Sequence, residues 1–129
     1  MFQFKALSIR QPFSNAIMQG VKDVEWRTWD TAYRGPLIIH AGSKIEYESL
    51  PWAEEHGVKD PWVTGVFLGV AFLGATFQDD SDGLYGFVLH SPLLFPLPIL
   101  GPGKLNLFHP GEHIIQAARR LIVMHYGVE

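Results

Sequence analysis

Cysteine is absent from the 129 residues. Disulfides, thiolate metal sites and cysteine nucleophiles are therefore excluded, and a reducing compartment, read as cytoplasmic, is the expectation. A long apolar run is also missing. Pro61 to Gln78 is uncharged, but Gly65, Gly69 and Gly74 interrupt it; Gly83 to Gly103 is uncharged, but it carries Pro92, Pro96, Pro98 and Pro102. Neither reads as a membrane-spanning helix. No basic segment followed by an apolar one and a cleavage site opens the chain, so no signal peptide is expected. Strong charge of one sign is lacking too. The net charge of −3 argues against a nonspecific polyanion binder. The distribution is uneven, however. Residues 1–44 hold six basic against three acidic side chains, and residues 45–129 four against ten. A nucleic-acid footprint depends on clustered charge rather than on the total.

What is present fits one domain over residues 1–129, large enough to bury a core. Phe4 to Ile9 roughly alternates and reads as a strand. Pro12 suits the start of a short helix and Gly20 its end, with Phe13, Ala16 and Ile17 on one face. Residues 24–29 read as a strand. Glu25, Arg27 and Trp29 share its charged face toward solvent or a cleft, while Trp26 reads as core-facing. Leu37 to Ala41 is apolar on nearly every position and reads as a strand buried on both faces. Ser43 to His56 reads as a helix with a Ser43/Glu46 capping box, broken at Pro51. Val63 to Phe77 is the longest strand candidate, bent at its glycines, and Tyr85 to His90 pairs with it. Ser91 to Pro102 reads as irregular or as an edge strand. Ile114 to Met124 carries both helix and strand signals. The fold class is α+β: a small antiparallel β-barrel with two or three peripheral helices.

The segment Gly20-Val21-Lys22-Asp23-Val24-Glu25-Trp26-Arg27 concentrates unlike charges at a change of chain direction. Together with Leu7-Ser8-Ile9-Arg10-Gln11-Pro12 and Tyr33-Arg34-Gly35-Pro36-Leu37-Ile38-Ile39-His40-Ala41, it resembles the activating signal cointegrator homology (ASCH) domain. That family carries a Gly-x-Lys-x-x-Glu-x-Arg signature. The likeness spans roughly residues 4 to 108 and is nearest to the cointegrator-type branch. It implies a barrel similar to the pseudouridine synthase and archaeosine transglycosylase (PUA) fold, and a cleft beside the motif that binds RNA or another nucleic acid. One branch of the family hydrolyses the acetyl amide of acetylated cytidine, and another is associated with ribonuclease activity. The amidohydrolase branch carries Thr three residues after its catalytic Lys; here that position is Glu25.

The residues themselves suggest binding chemistry. Lys22 and Arg27 can hold phosphates, and Arg10, Arg34 and Lys44 extend the surface. Trp29 and Tyr33 offer faces on which unpaired bases stack. The candidate nucleic-acid set is thus Arg10, Lys22, Glu25, Arg27, Trp29, Tyr33, Arg34 and Lys44, and the ligand is single-stranded RNA or a modified nucleotide. The alternative is a small hydrolase acting on nucleic acid or a nucleoside, with Lys22 and Glu25 as acid and base. His40 reads as a satisfied core histidine, and His90 as a residue that could face the cleft. His109 and His113 have metal-like spacing, but Pro110 and Gly111 oppose a helix through them, so neither a metal nor a cofactor is expected. A protein partner on the acidic segment around Trp52 is a third possibility.

Overall fold

The computed structural model describes residues 3–127. Five strands and three α-helices run in the order β1 (Lys5–Gln11), α1 (Phe13–Met18), β2 (Val24–Arg27), β3 (Gly35–Ile45), α2 (Leu50–Glu55), β4 (Val66–Gln78), β5 (Tyr85–Leu100) and α3 (Glu112–Tyr126). They form one sheet of order β1-β3-β4-β5-β2. β1 runs parallel to β3, and every other pair is antiparallel. The parallel pair follows from connectivity, because α1 and β2 lie between its strands and carry the chain back. The sheet stays open between β1 and β2, so the architecture is barrel-like rather than a closed barrel. No helix among the described residues is long and apolar enough to cross a membrane.

β3 explains the layering. Leu37, Ile39 and Ala41 enter one core with Leu7, Ile9, Ile17, Leu73 and Phe87. Ile38 points the other way, into a second core with Ala6, Phe67, Val70, Ile114 and Ile122. A strand covered on both faces is apolar at nearly every position, as read from the sequence for Leu37 to Ala41. β4 bends through register shifts between Phe67 and Gly69, Val70 and Phe72, and Leu73 and Ala75. These irregularities let one long strand curl with the sheet.

The structure departs from the sequence reading after β3 and decides two segments that the sequence left open. Ser43 is not a helix cap. β3 continues through it to Ile45, which pairs with Gln11, and the Glu46 N–H donates to Gln11 O at 2.8 Å. The helix begins only at Leu50, after a 3₁₀ turn over Tyr47–Ser49, and Pro51 lies in its first turn instead of breaking it. The Pro-rich run continues β5 to Leu100, paired with β4 up to Val66. Its far edge is unpaired with β2, and there prolines cost no ladder bond. The mixed segment at 114–124 is helical within α3.

A buried polar network ties the first helix to the chain after α2. Gln11, fully buried, donates through Nε2 to Asn15 Oδ1 at 2.8 Å and to Val63 O at 2.9 Å. Asn15 Nδ2 donates to Lys59 O and Pro61 O, each at 3.0 Å. Every one of these buried groups is satisfied, which gives the network its rigidity.

Tyr33 and Arg34 fasten the β2–β3 connection. The Tyr33 hydroxyl lies against the carbonyls of Gln3 and Pro36. Arg34 donates to Thr31 O, Tyr33 O and Thr76 Oγ1. Burial pushes the Tyr33 hydroxyl up to about 12, with a hydrogen bond from the Lys5 backbone pulling the other way. The fold thus prefers the neutral phenol. Its contribution to stability is complete below about pH 10, the ordinary tyrosine value, and is lost as the pH rises toward 12. Tyr33→Phe is expected to cost about 1 kcal/mol at neutral pH. In urea titrations across pH 9–12 the variant's stability should fall less steeply than that of the wild type.

Candidate functional site

The Lys22–Arg27 segment is fixed from both ends. Gly20 adopts φ +77°, a left-handed conformation that glycine takes without strain, and turns the chain out of α1. The carbonyl of Ala16 then accepts the N–H groups of Val21 at 2.9 Å and Lys22 at 3.1 Å. At the other end, β2 pairs with β5, Glu25 opposite Phe87 and Arg27 opposite Tyr85.

Between these anchors the side chains converge on one carboxylate. Glu25 is only 8% exposed. Its Oε1 accepts from Lys22 Nζ at 3.1 Å. Its Oε2 accepts from Arg27 Nε at 3.1 Å and Nη2 at 2.8 Å. Lys22 Nζ also donates to Val24 O and sits 5.7 Å from the centre of the Phe13 ring. Arg27 Nη2 reaches further and donates to Ser8 O at 2.9 Å. β2 and β1 are the two edge strands of the sheet, β1 carrying only an isolated bridge from Ala6 to Phe108 on its outer side, so this guanidinium spans the opening where a strand ladder is missing. The face of β2 that carries Glu25 is therefore the more buried one. Trp26, read as core-facing, is 40% exposed and packs edge-on against Phe77 at 5.3 Å. Two cations offset the cost of burying Glu25, and this balance reverses the apolar-inward expectation.

An open groove of about 960 Å³ lies along this seam. One wall comes from Glu25 to Trp29. The other comes from Ser8 to Arg10 on β1, His40 and Gly42 to Lys44 on β3, and the loop from Gly101 to Asn106. Five cationic side chains line it, Arg10, Lys22, Arg27, Lys44 and Lys104, against two carboxylates, Glu25 and Glu46. Arg10 pairs with Glu46 at 2.7 Å. Lys44 and Lys104 have no ion-pair partner among the described residues. Trp29 stands edge-on to Phe87 at 5.2 Å and lines the groove.

The structure thus brings Arg10, Lys22, Glu25, Arg27, Trp29 and Lys44 together, and leaves two candidates outside. Tyr33 and Arg34 do not line the groove, because their polar atoms hold the β2–β3 connection. His90 lies in a separate space of about 230 Å³ and pairs with Ser91 Oγ at 2.9 Å. His113 is in α3, whereas His109 precedes that helix and accepts the Gly111 N–H at 3.1 Å. Trp52 is partly buried, stacked on His56 and packed at an angle against Phe13.

The run Gly103-Lys104-Leu105-Asn106-Leu107 shares in the family likeness, but the sequence did not mark the loop from 101 to 106 as a groove wall. It docks through His40, which is 2% exposed and joins Ser8 Oγ and Gly101 O, each at 2.8 Å. Gly103 presses so closely on this pair that a Cβ there would collide with Ser8 Oγ and the His40 ring. The Gly101-Pro102-Gly103 sequence was the available signal, marking a close backbone approach instead of a plain turn. Burial pushes the pKa of His40 down, partly opposed by the Gly101 carbonyl, so its ring is neutral at pH 7.

Replacing the shared carboxylate by Gln leaves two cations side by side with one weak acceptor. Glu25→Gln is expected to lower stability by about 2–3 kcal/mol in denaturant titrations. A loss below about 0.5 kcal/mol would show that the clamp is a surface ion pair only.

A family model described as the ASCH domain matches residues 7–79. A curated relative, described as a probable cobyric acid synthase of Thermococcus onnurineus (strain NA1), is 29% identical over 114 residues, 81% of this chain and 24% of that protein. The chain therefore spans about a quarter of that relative's length. The crystal structure of ASCH from Zymomonas mobilis superposes with a TM-score of 0.62 at 15% identity, covering 92% of this chain and 94% of that one. A mutant of the same Zymomonas protein gives 0.61 at 16% identity, covering 89% and 95%. The family-model match ends just after β4, while the likeness in fold extends over nearly the whole chain.

Proposed function

The chain belongs to the ASCH domain family, and we propose that its seam groove binds single-stranded nucleic acid, RNA or a strand carrying a modified nucleotide. The observation that carries this reading is the groove's charge: five cations against two carboxylates in a chain whose net charge is −3. Lys44 and Lys104, unpaired among the described residues, are the cations most free to exchange their counterions for phosphates. Trp26 and Trp29 add aromatic surface at the wall formed by β2 and the chain just after it. An unpaired base can stack there, whereas a duplex hides its base faces.

The Lys22–Glu25 pair supports binding better than acid–base catalysis. Both Glu25 oxygens are occupied, and Lys22 Nζ is held by Glu25 Oε1 and Val24 O. In this arrangement the pair shapes the groove and presents Arg27; neither group is free to exchange a proton with a ligand without breaking the clamp. The Thr that the acetylcytidine hydrolases carry is replaced by this same Glu25, which removes their nucleophile position.

Fluorescence anisotropy with a labelled single-stranded RNA tests the proposal. Lys44→Ala and Lys104→Ala should each weaken binding about 3- to 10-fold and reduce the slope of log K against log salt by about 0.7. Arg34→Ala, which lies outside the groove, should bind as the wild type does. Equal losses for all three variants, or no salt-dependent binding by the wild type, would contradict it.

A further inference from the structure

We propose that Ser8 and His40 form a second chemical centre in the groove, a serine nucleophile with its general base, which hydrolyses carboxylic esters carried by phosphate-bearing molecules. The Ser8–His40 chemistry is independent of nucleic-acid binding, while its preference for phosphate draws on the same cationic lining. It uses atoms that the Lys22–Glu25–Arg27 clamp does not occupy, since Arg27 takes the backbone carbonyl of Ser8 and leaves its hydroxyl alone.

The register of β1 and β3 sets Ser8 opposite His40. Ser8 Oγ lies 2.8 Å from His40 Nδ1, and His40 Nε2 lies 2.8 Å from Gly101 O. A carbonyl oxygen can only accept, so Nε2 carries the ring proton. Nδ1 is then left with its lone pair, and the Ser8 hydroxyl donates to it. This is the arrangement an activated serine requires: nucleophile bonded to base, and base oriented by a third group. Both residues line the groove, with His40 buried and Ser8 partly exposed. Burial also keeps the imidazole neutral, hence able to take a proton at pH 7. Gly103 leaves the room these two side chains fill.

The reaction follows from these atoms. Ser8 Oγ attacks the ester carbonyl carbon while its proton passes to His40 Nδ1. The bond from that carbon to the ester oxygen breaks, and the leaving oxygen takes the proton from Nδ1. Water, deprotonated by the same nitrogen, then attacks the Ser8 ester and restores the hydroxyl, releasing the carboxylic acid. The net change is one ester and one water converted to an acid and an alcohol. Arg27 Nη1 has no partner among the described residues, and its guanidinium is already beside Ser8, where it can offset the oxyanion charge. The orienting group is a neutral carbonyl rather than a carboxylate, and the base is weak. Such a serine suits an ester, whose leaving group departs readily, better than an amide. The cationic lining selects a substrate that carries phosphate.

The test has two arms. A fluorophosphonate probe is incubated with the folded wild type and mapped by peptide mass spectrometry. Hydrolysis of ribose-acetylated AMP and ribose-acetylated adenosine is followed in parallel. The expected results are an adduct on Ser8, turnover that falls as the pH drops through the His40 titration below 6.5, and kcat/KM at least 10-fold higher for the AMP ester. Ser8→Ala, checked for fold by circular dichroism, should lose at least 100-fold of the turnover. The absence of a Ser8 adduct on folded wild type overturns the proposal even if Ser8→Ala fails to fold. Undiminished turnover by a folded Ser8→Ala also overturns it. So does equal turnover of the two esters, which would remove the phosphate-bearing class. None of these outcomes alters RNA affinity at Lys44 and Lys104, so the two readings fail separately.

Discussion

The carboxylate of Glu25 holds two cations that face opposite tasks. Lys22, on one side, is fastened to the end of α1. Arg27, on the other, reaches across the open seam to the carbonyl of Ser8 on β1. A five-stranded sheet whose edge strands stand one side chain apart is nearly a barrel, and here a guanidinium supplies the contact that a strand ladder would otherwise make. Removing the anion leaves two partly buried cations without their counter-charge, so groove shape and fold stability depend on the same group. A salt bridge at such a position also sets register: β2 can pair with β5 in only one way that brings Glu25 inward and Arg27 to the seam.

The groove exists because the seam is not closed. A sixth strand or a tighter curl would bury Ser8, Arg10 and Trp29 beneath backbone. Instead the space is walled on the far side by the loop from 101 to 106, which is locked down by His40 and by the close approach of Gly103. The lining is consequently a mixture of rigid edges and free heads. The Glu25 clamp and the His40 bridge are fixed, whereas Lys44 and Lys104 project from the rim with no ion-pair partner among the described residues. Fixed parts set the shape, and free cations supply attraction that salt can screen.

Much of this was legible in the sequence where the cause was local. The run Leu37–Ala41, apolar at all positions but His40, reads as a strand covered on both faces. The spacing of Lys22, Glu25 and Arg27 placed the last two on one strand face and the first on the turn before it. Legibility failed where distant partners decided. Ser43 and Glu46 match a capping box, but pairing of Ile45 with Gln11 and of Glu46 with Arg10 kept the segment extended. Trp26 and Glu25 exchanged their expected faces because two cations, not hydrophobicity, settled which was buried. Nothing local marked Gln11 and Asn15 as buried, since the backbone carbonyls they reach, of Val63, Lys59 and Pro61, lie more than forty residues away. Tyr33 and Arg34 looked like ligand groups by composition, yet carbonyls and a threonine hydroxyl claim their polar atoms.

The position of a bound strand on the protein decides whether the groove is the binding site. Photo-crosslinking a single-stranded RNA containing 4-thiouridine, followed by peptide mass spectrometry, locates it directly. Adducts confined to the groove walls, the peptides carrying Trp26–Trp29 and Lys104–Asn106, are the predicted result. Adducts on α3 or on the exposed edge of β5, with the groove peptides unmodified, would contradict it.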